Sequence, residues 1–187
     1  MKKIILLLCF ITLYIANATT ILFLGDSLTE GLGVSKEEAF PKVVERLILS
    51  ELKKDVIVIN GGVSGSTTSD ALARLRWYLK KKPSLVFIVL WASDGLRGLD
   101  LNESQKNLEN IIENAQKSGA KVLLAGMLIP PNYGPEYFER FKKMYEDISV
   151  KYALKRMPFL LEGVAGNKEL NQRDGIHPNE EGHKHIA

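Results

Sequence analysis

Uninterrupted apolar runs recur along the chain, separated by stretches in which apolar residues fall every third or fourth position. The first run, Ile21-Leu22-Phe23-Leu24, passes directly into Gly25-Asp26-Ser27-Leu28. A short apolar run bounded by a turn signal predicts a strand buried on both faces, the kind found in parallel sheets. Similar runs occupy Val56 to Ile59, Leu85 to Leu90, Lys121 to Ala125 and Pro158 to Leu161. Helical spacing covers Lys36 to Lys53, and it returns in Leu72, Leu75, Tyr78 and Leu79. It appears again in Leu108, Ile111, Ile112 and Ala115 before Gly119, and over Tyr137 to Lys155. Asn179 is placed to cap a final helix.

Strands alternating with helices of this length predict βαβ units. The expected fold is α/β, with a parallel sheet of about five strands covered by helices on both faces. Loops of small or polar residues follow the strands: Asp26-Ser27, Gly61 to Ser66, Ala92 to Gly95, and the proline-rich Ile129 to Pro135. All four should open on the carboxyl edge of the sheet, where open α/β sheets hold ligands.

A length of 187 residues suits a single domain, but residues 1–18 read as something else. Lys2 and Lys3 form a basic start, Ile4 to Ile15 an apolar segment, and Ala16-Asn17-Ala18 a small-residue cleavage site, the pattern of a signal peptide. The apolar segment is shorter than the roughly 20 residues that a spanning helix needs. The expectation is therefore a secreted or periplasmic domain over residues 19–187, with no stable membrane anchor once the leader is cleaved. Cleavage takes away two lysines and no acid, lowering the formal charge from +3 to +1 and giving no reason to expect a nucleic-acid partner. It also removes Cys9, the one cysteine, which excludes a disulfide scaffold or a cysteine-based metal site.

Ser27 lies at the carboxyl end of the first strand, and two readings fit it. Serine is a favoured helix cap, and it is also a nucleophile wherever a base can take its proton and a third group orients that base. The three histidines, His177, His183 and His185, all fall in the last eleven residues. Asp174 and His177 sit three apart in Asp174-Gly175-Ile176-His177-Pro178, so one loop can present both, and this favours the nucleophile. His183 and His185 read as an exposed helix face.

Gly25-Asp26-Ser27-Leu28, Gly65, Asp94-Gly95-Leu96-Arg97-Gly98 and Asp174 to Asn179, taken in order, resemble the four blocks of the GDSL, or SGNH, hydrolases. The likeness is greatest to the bacterial periplasmic acyl-CoA thioesterase/lysophospholipase/arylesterase group. It extends to Phe40-Pro41, Ala73-Arg74-Leu75 and Pro131-Asn132-Tyr133-Gly134, and so covers nearly the whole chain after the leader. The resemblance implies a flavodoxin-like three-layer α/β/α sandwich. It also implies Ser27 as nucleophile, His177 as general base and acid, and Asp174 as its orienter. The oxyanion hole would comprise the backbone N–H groups of Ser27 and Gly65 and a side-chain donor at position 93. Asp26, Trp91, Asp94, Pro131 and Tyr133 would contribute to substrate binding.

The chain departs from the family pattern Gly-x-Asn-Asp, reading Trp91-Ala92-Ser93-Asp94 instead. A serine hydroxyl is shorter than the carboxamide it replaces, and losing one oxyanion donor costs about 10²–10³ in turnover. The family also continues past the histidine block with a longer helix, so here either the final helix is very short or the sequence ends early. The expectation is a monomeric serine esterase needing no metal or cofactor, acting on small acyl esters, thioesters or lysolipids, and slowed at its oxyanion hole. Carbohydrate O-deacetylation on the same site and a non-catalytic binding protein are the competing readings. The apolar loop from Ile129 to Tyr137 favours acyl chains.

Overall fold

β1 (Thr19–Gly25) lies inside a five-stranded sheet of order β2-β1-β3-β4-β5, in which every neighbouring pair is parallel. The computed structural model describes residues 19–90, 92–129 and 133–187; the leader, Trp91 and Pro131 lie outside the described residues. The other strands are β2 (Val56–Gly62), β3 (Leu85–Val89), β4 (Lys121–Ala125) and β5 (Lys155–Met157). The flavodoxin-like sandwich is thus present, with its strand order reversing between β1 and β3.

The helices are α1 (Ser27–Glu30), α2 (Phe40–Leu52), α3 (Thr68–Leu79), α4 (Ala92–Leu96), α5 (Leu101–Lys117), α6 (Pro135–Lys151) and α7 (Glu180–Ile186). α3, α5 and α6 form one contiguous row, while α2 packs with α7. Right-handed crossovers produce this division, because the chain steps one way along the sheet through α2 and the other way through α3, α5 and α6. Leu22 and Leu24 of β1 are wholly buried, and Phe23 meets Phe40 and Phe87 edge to face at 5.5 and 5.3 Å.

β2 is an edge strand, and its own chain covers it. Val58 N–H donates to Glu45 Oε1 of α2 at 2.9 Å, and Gly62 N–H donates to Asn60 Oδ1 at 2.9 Å.

Several elements differ from the sequence pattern. α2 begins at Phe40 and not at Lys36, because Pro41 has no N–H to bond back into an earlier turn and so fits only the first turn. Residues 92–96 form a short helix where a loop is expected. α6 ends at Lys151, after which Ala153 turns left-handed at φ +50°. The last strand is Lys155–Met157 and not Pro158–Leu161. As the outer edge strand it has little apolar cover to match, so its residues need not be apolar. Pro158 has no N–H to extend the ladder, and the apolar residues after it turn away to wall a cleft.

Candidate active site

The corner between β1 and α1 is built by close approach. A Cβ on Gly25 would stand 1.9 Å from Thr29 Oγ1 and 2.7 Å from the Val89 carbonyl, so only glycine lets the strand turn here. Asp26 caps α1, its Oδ1 accepting from Leu28 N–H at 3.1 Å. Ser27 is the first helical residue, at the carboxyl end of the sheet.

The partner loop closes like a small hairpin. Asn171 pairs with Pro178 across it, Gln172 N–H donates to the His177 carbonyl at 2.8 Å, and Gly175 N–H to the Gln172 carbonyl at 3.0 Å. Gln172 Nε2 also donates to the Leu32 carbonyl at 2.6 Å, tying this loop to the turn that follows α1. The loop brings His177 Nε2 to 2.9 Å from Ser27 Oγ and His177 Nδ1 to 2.7 Å from Asp174 Oδ2. Asp174 Oδ1 accepts from the backbone N–H groups of Ile176 and His177, both at 3.0 Å.

The electrostatics set the roles. Slight desolvation pushes the Asp174 carboxyl up, but the bonds from the His177 ring and the two backbone N–H groups outweigh it and hold the group down at about 2. An ionised carboxylate only accepts, so Nδ1 carries the ring proton and Nε2 of the neutral ring is free to accept from Ser27 Oγ–H. That is the arrangement a serine nucleophile needs.

Ser27 and His177 open into a cleft of about 530 Å³. Ser93 lines it beside Ser27; Met127, Leu128 and Ile129 come from the segment after β4, Phe159 and Leu161 from the segment after β5, and Phe138 from α6. Phe159 and Leu161, which read as strand in sequence, are therefore cleft wall.

Three of the expected substrate contacts are placed elsewhere. Asp26 is wholly buried, and its Oδ2 has no hydrogen-bond partner of good geometry, although the nearby Ser93 backbone N–H favours its charged form. Asp94 is 1% exposed and binds Thr68 N–H at 3.0 Å, Thr68 Oγ1 at 2.7 Å and Ser104 Oγ at 2.9 Å, which fastens α4 to α3 and α5. Burial makes both acids brace loops and keeps them from substrate. Tyr133 donates to the Leu96 carbonyl at 2.6 Å and is not among the cleft-lining residues. Nor is Gly65, which sits at φ +75° with its carbonyl accepting from Arg97 Nη2 at 3.1 Å.

His183 also departs from expectation. It is 1% exposed and not on an open face; its Nδ1 accepts from Phe40 N–H at 3.3 Å and its ring stacks on Phe40. Burial, and then the nearby His177, push its pKa down to about 4, so the ring is neutral and joins α7 to the start of α2. His185 is exposed. Among the described residues, no group of three His, Cys, Asp or Glu side chains is placed to hold a metal ion, and no helix is long and apolar enough to cross a membrane.

The buried Asp26 has a measurable signature. Desolvation, aided by the Asp94 charge, raises its pKa from 3.8 to about 6 against the lowering effect of the Leu28 and Ser93 backbone N–H groups. The folded state then holds this proton more tightly than the unfolded one, so the contribution to stability falls as pH rises from 3.8 through 6. The loss amounts to about 3 kcal/mol when complete. Asp26→Asn removes the dependence. In urea unfolding, the stability of the variant relative to the parent should rise by up to that amount between pH 4 and pH 7.5. A difference constant across that range would refute the assignment.

The comparisons with known proteins identify the family. The GDSL-like Lipase/Acylhydrolase family profile matches residues 23–185. The chain belongs to this family. It is 40% identical over 164 residues to "Esterase TesA" of Pseudomonas aeruginosa, covering 87% of this chain and 81% of that protein. It is 34% identical over 183 residues to "Thioesterase 1/protease 1/lysophospholipase L1" of Escherichia coli K12, covering 97% and 86%. The solved structure titled "Crystal Structure of TesA" superposes with a TM-score of 0.85 at 38% identity, covering 90% of this chain and 93% of that one. As a GDSL-like hydrolase, the chain is a carboxylic ester hydrolase.

Proposed function

We propose that this enzyme hydrolyses acyl esters and thioesters of small lipids and aryl alcohols through a covalent acyl-enzyme on Ser27. The observation that carries the reading is the continuous Ser27–His177–Asp174 relay opening directly into an apolar cleft. His177 Nε2 takes the Ser27 proton as Oγ attacks the acyl carbonyl, then returns it to the departing alcohol or thiol. The same nitrogen next deprotonates the water that releases the acid. The Ser27 N–H serves the developing oxyanion, with the Gly65 N–H as the second donor that the family likeness implies; Ser93 lines the cleft at the third donor's place, on a side chain shorter than the usual carboxamide. Walls of Met127, Leu128, Phe138, Phe159 and Leu161 suit an acyl chain better than a sugar, which argues against carbohydrate deacetylation. The enzyme acts in the periplasm or outside the cell, a reading that rests on the leader pattern of residues 1–18.

The test is a series of p-nitrophenyl esters from acetate to palmitate. Hydrolysis is expected, with kcat/KM rising beyond acetate as the chain fills the cleft. A folded protein inactive on every member would leave only the binding-protein reading. Because position 93 carries a serine, Trp91→Gly with Ser93→Asn should raise kcat by about 10²-fold with little change in KM, since the restored amide acts in the transition state. A double variant no faster than the parent would show that Ser93 already suffices.

A further inference from the structure

The end of the sheet opposite the active site carries an unusual surface. Leu49 and Leu52 near the end of α2, Ile57 at the start of β2 and Trp77 near the end of α3 are 54%, 60%, 52% and 57% exposed. The same helix ends and the turns that follow them carry Lys53, Lys54, Arg76, Lys80, Lys81 and Lys82, all exposed, and none forms an ion pair with a described residue. The two acids in these segments are Glu51 and Asp55, so the cluster is strongly positive.

The backbone brings these segments to one end. Ser84, two residues after Lys82, donates through N–H and Oγ to the Thr20 carbonyl at 2.9 and 3.0 Å, and Thr20 pairs with Ile57. Lys53 and Lys54 lead directly from α2 into β2. β1 also starts here, with Thr19 beside Val56, so residues 1–18 join the fold at this same end. The apolar segment Ile4 to Ile15 therefore joins the chain at the end that exposes a tryptophan, three aliphatic side chains and six cations with no ion-pair partner among the described residues.

We infer that this end of the domain docks peripherally on an anionic lipid surface. An exposed tryptophan and aliphatic side chains enter the headgroup region while lysines and arginine meet the lipid phosphates. Charge complementarity selects an anionic surface, and residues 1–18, with the pattern of a leader, join the fold at this same end. The strand carboxyl ends, with Ser27 and the cleft, then face away from the lipid. The docking is separate from the ester chemistry and stands independently of it.

The test uses residues 19–187, which contain every described element, co-sedimented with vesicles of phosphatidylcholine alone or mixed equally with phosphatidylglycerol. Partitioning is expected to be at least tenfold stronger onto the mixed vesicles in 50 mM NaCl, and to fall severalfold in 500 mM NaCl as the charges are screened. Replacing Lys80, Lys81 and Lys82 together by Glu should weaken it at least tenfold, and Leu52→Ser with Trp77→Ser should do so independently, with circular dichroism confirming that each variant is folded. These side chains are exposed, so folding is expected to survive. Equal partitioning onto both vesicle types, or binding indifferent to both sets of substitutions, would overturn the inference. Self-association of the free protein with no vesicle binding would assign the surface to a second copy and overturn it equally.

Discussion

Ser27→Ala is expected to lower kcat on p-nitrophenyl esters by at least about 10⁴-fold, with the fold and the cleft intact. Removal of a serine nucleophile takes away covalent catalysis altogether and leaves only binding and oxyanion stabilisation, so losses of 10⁴–10⁶ are the usual scale. Ser27 packs at the surface of the cleft, and the corner is held by Gly25 and the Asp26 cap, neither of which uses the hydroxyl. The variant should therefore unfold at the parent's temperature to within a few degrees. A fluorophosphonate probe should label the parent at Ser27 and leave the variant unlabelled. Undiminished turnover in the variant, or labelling at another serine, would remove Ser27 from the mechanism.

Asp174→Asn is expected to cost about 10³–10⁴ in kcat at neutral pH. The carboxylate makes Nδ1 the protonated nitrogen of His177, and an amide can donate to Nδ1 instead, leaving Nε2 protonated and unable to accept from Ser27. With its pKa near 2, Asp174 stays ionised through the whole working range. Its favourable contribution to stability is present above pH 3.8 and fades as the pH falls through 2. Because the side chain is 46% exposed, that contribution is small. Catalysis should suffer far more than stability. An equal loss of both, measured by kcat and by urea unfolding, would make Asp174 a structural residue only.

What could be read in the chain followed from which residues are buried twice over. β1 and β4 announce themselves because strands covered on both faces must be apolar throughout, and their limits match the runs in sequence closely. β5 has no such requirement, so Lys155 and Arg156 conceal it while Phe159 and Leu161 imitate a strand. The contacts between Ser27, His177 and Asp174 span up to 150 positions, and the two motifs with their resemblance to a known family made them legible. His183 was beyond reach, because a helix of Glu, Lys and His looks exposed from its own sequence. It is buried because Gly182 lets α7 approach so closely that a Cβ there would lie 2.1 Å from the Leu170 carbonyl, and because Phe40, 143 residues away, offers an N–H to its ring. Asp26 and Asp94 belong to recognisable motifs, but a motif records that a residue matters and not which way its side chain turns.

The covered edge of β2 bears on how the protein behaves when concentrated. A foreign strand seeking to lengthen the sheet there meets Val58 and Gly62 with their amide hydrogens already engaged by Glu45 and Asn60. A strand adding on that side must first displace the Glu45 carboxylate of α2 from Val58 and the Asn60 amide from Gly62. α2 in turn is held at its other end by His183. The residue that fastens the last helix therefore also steadies the helix that shields this edge, although it touches neither the edge nor the chemistry.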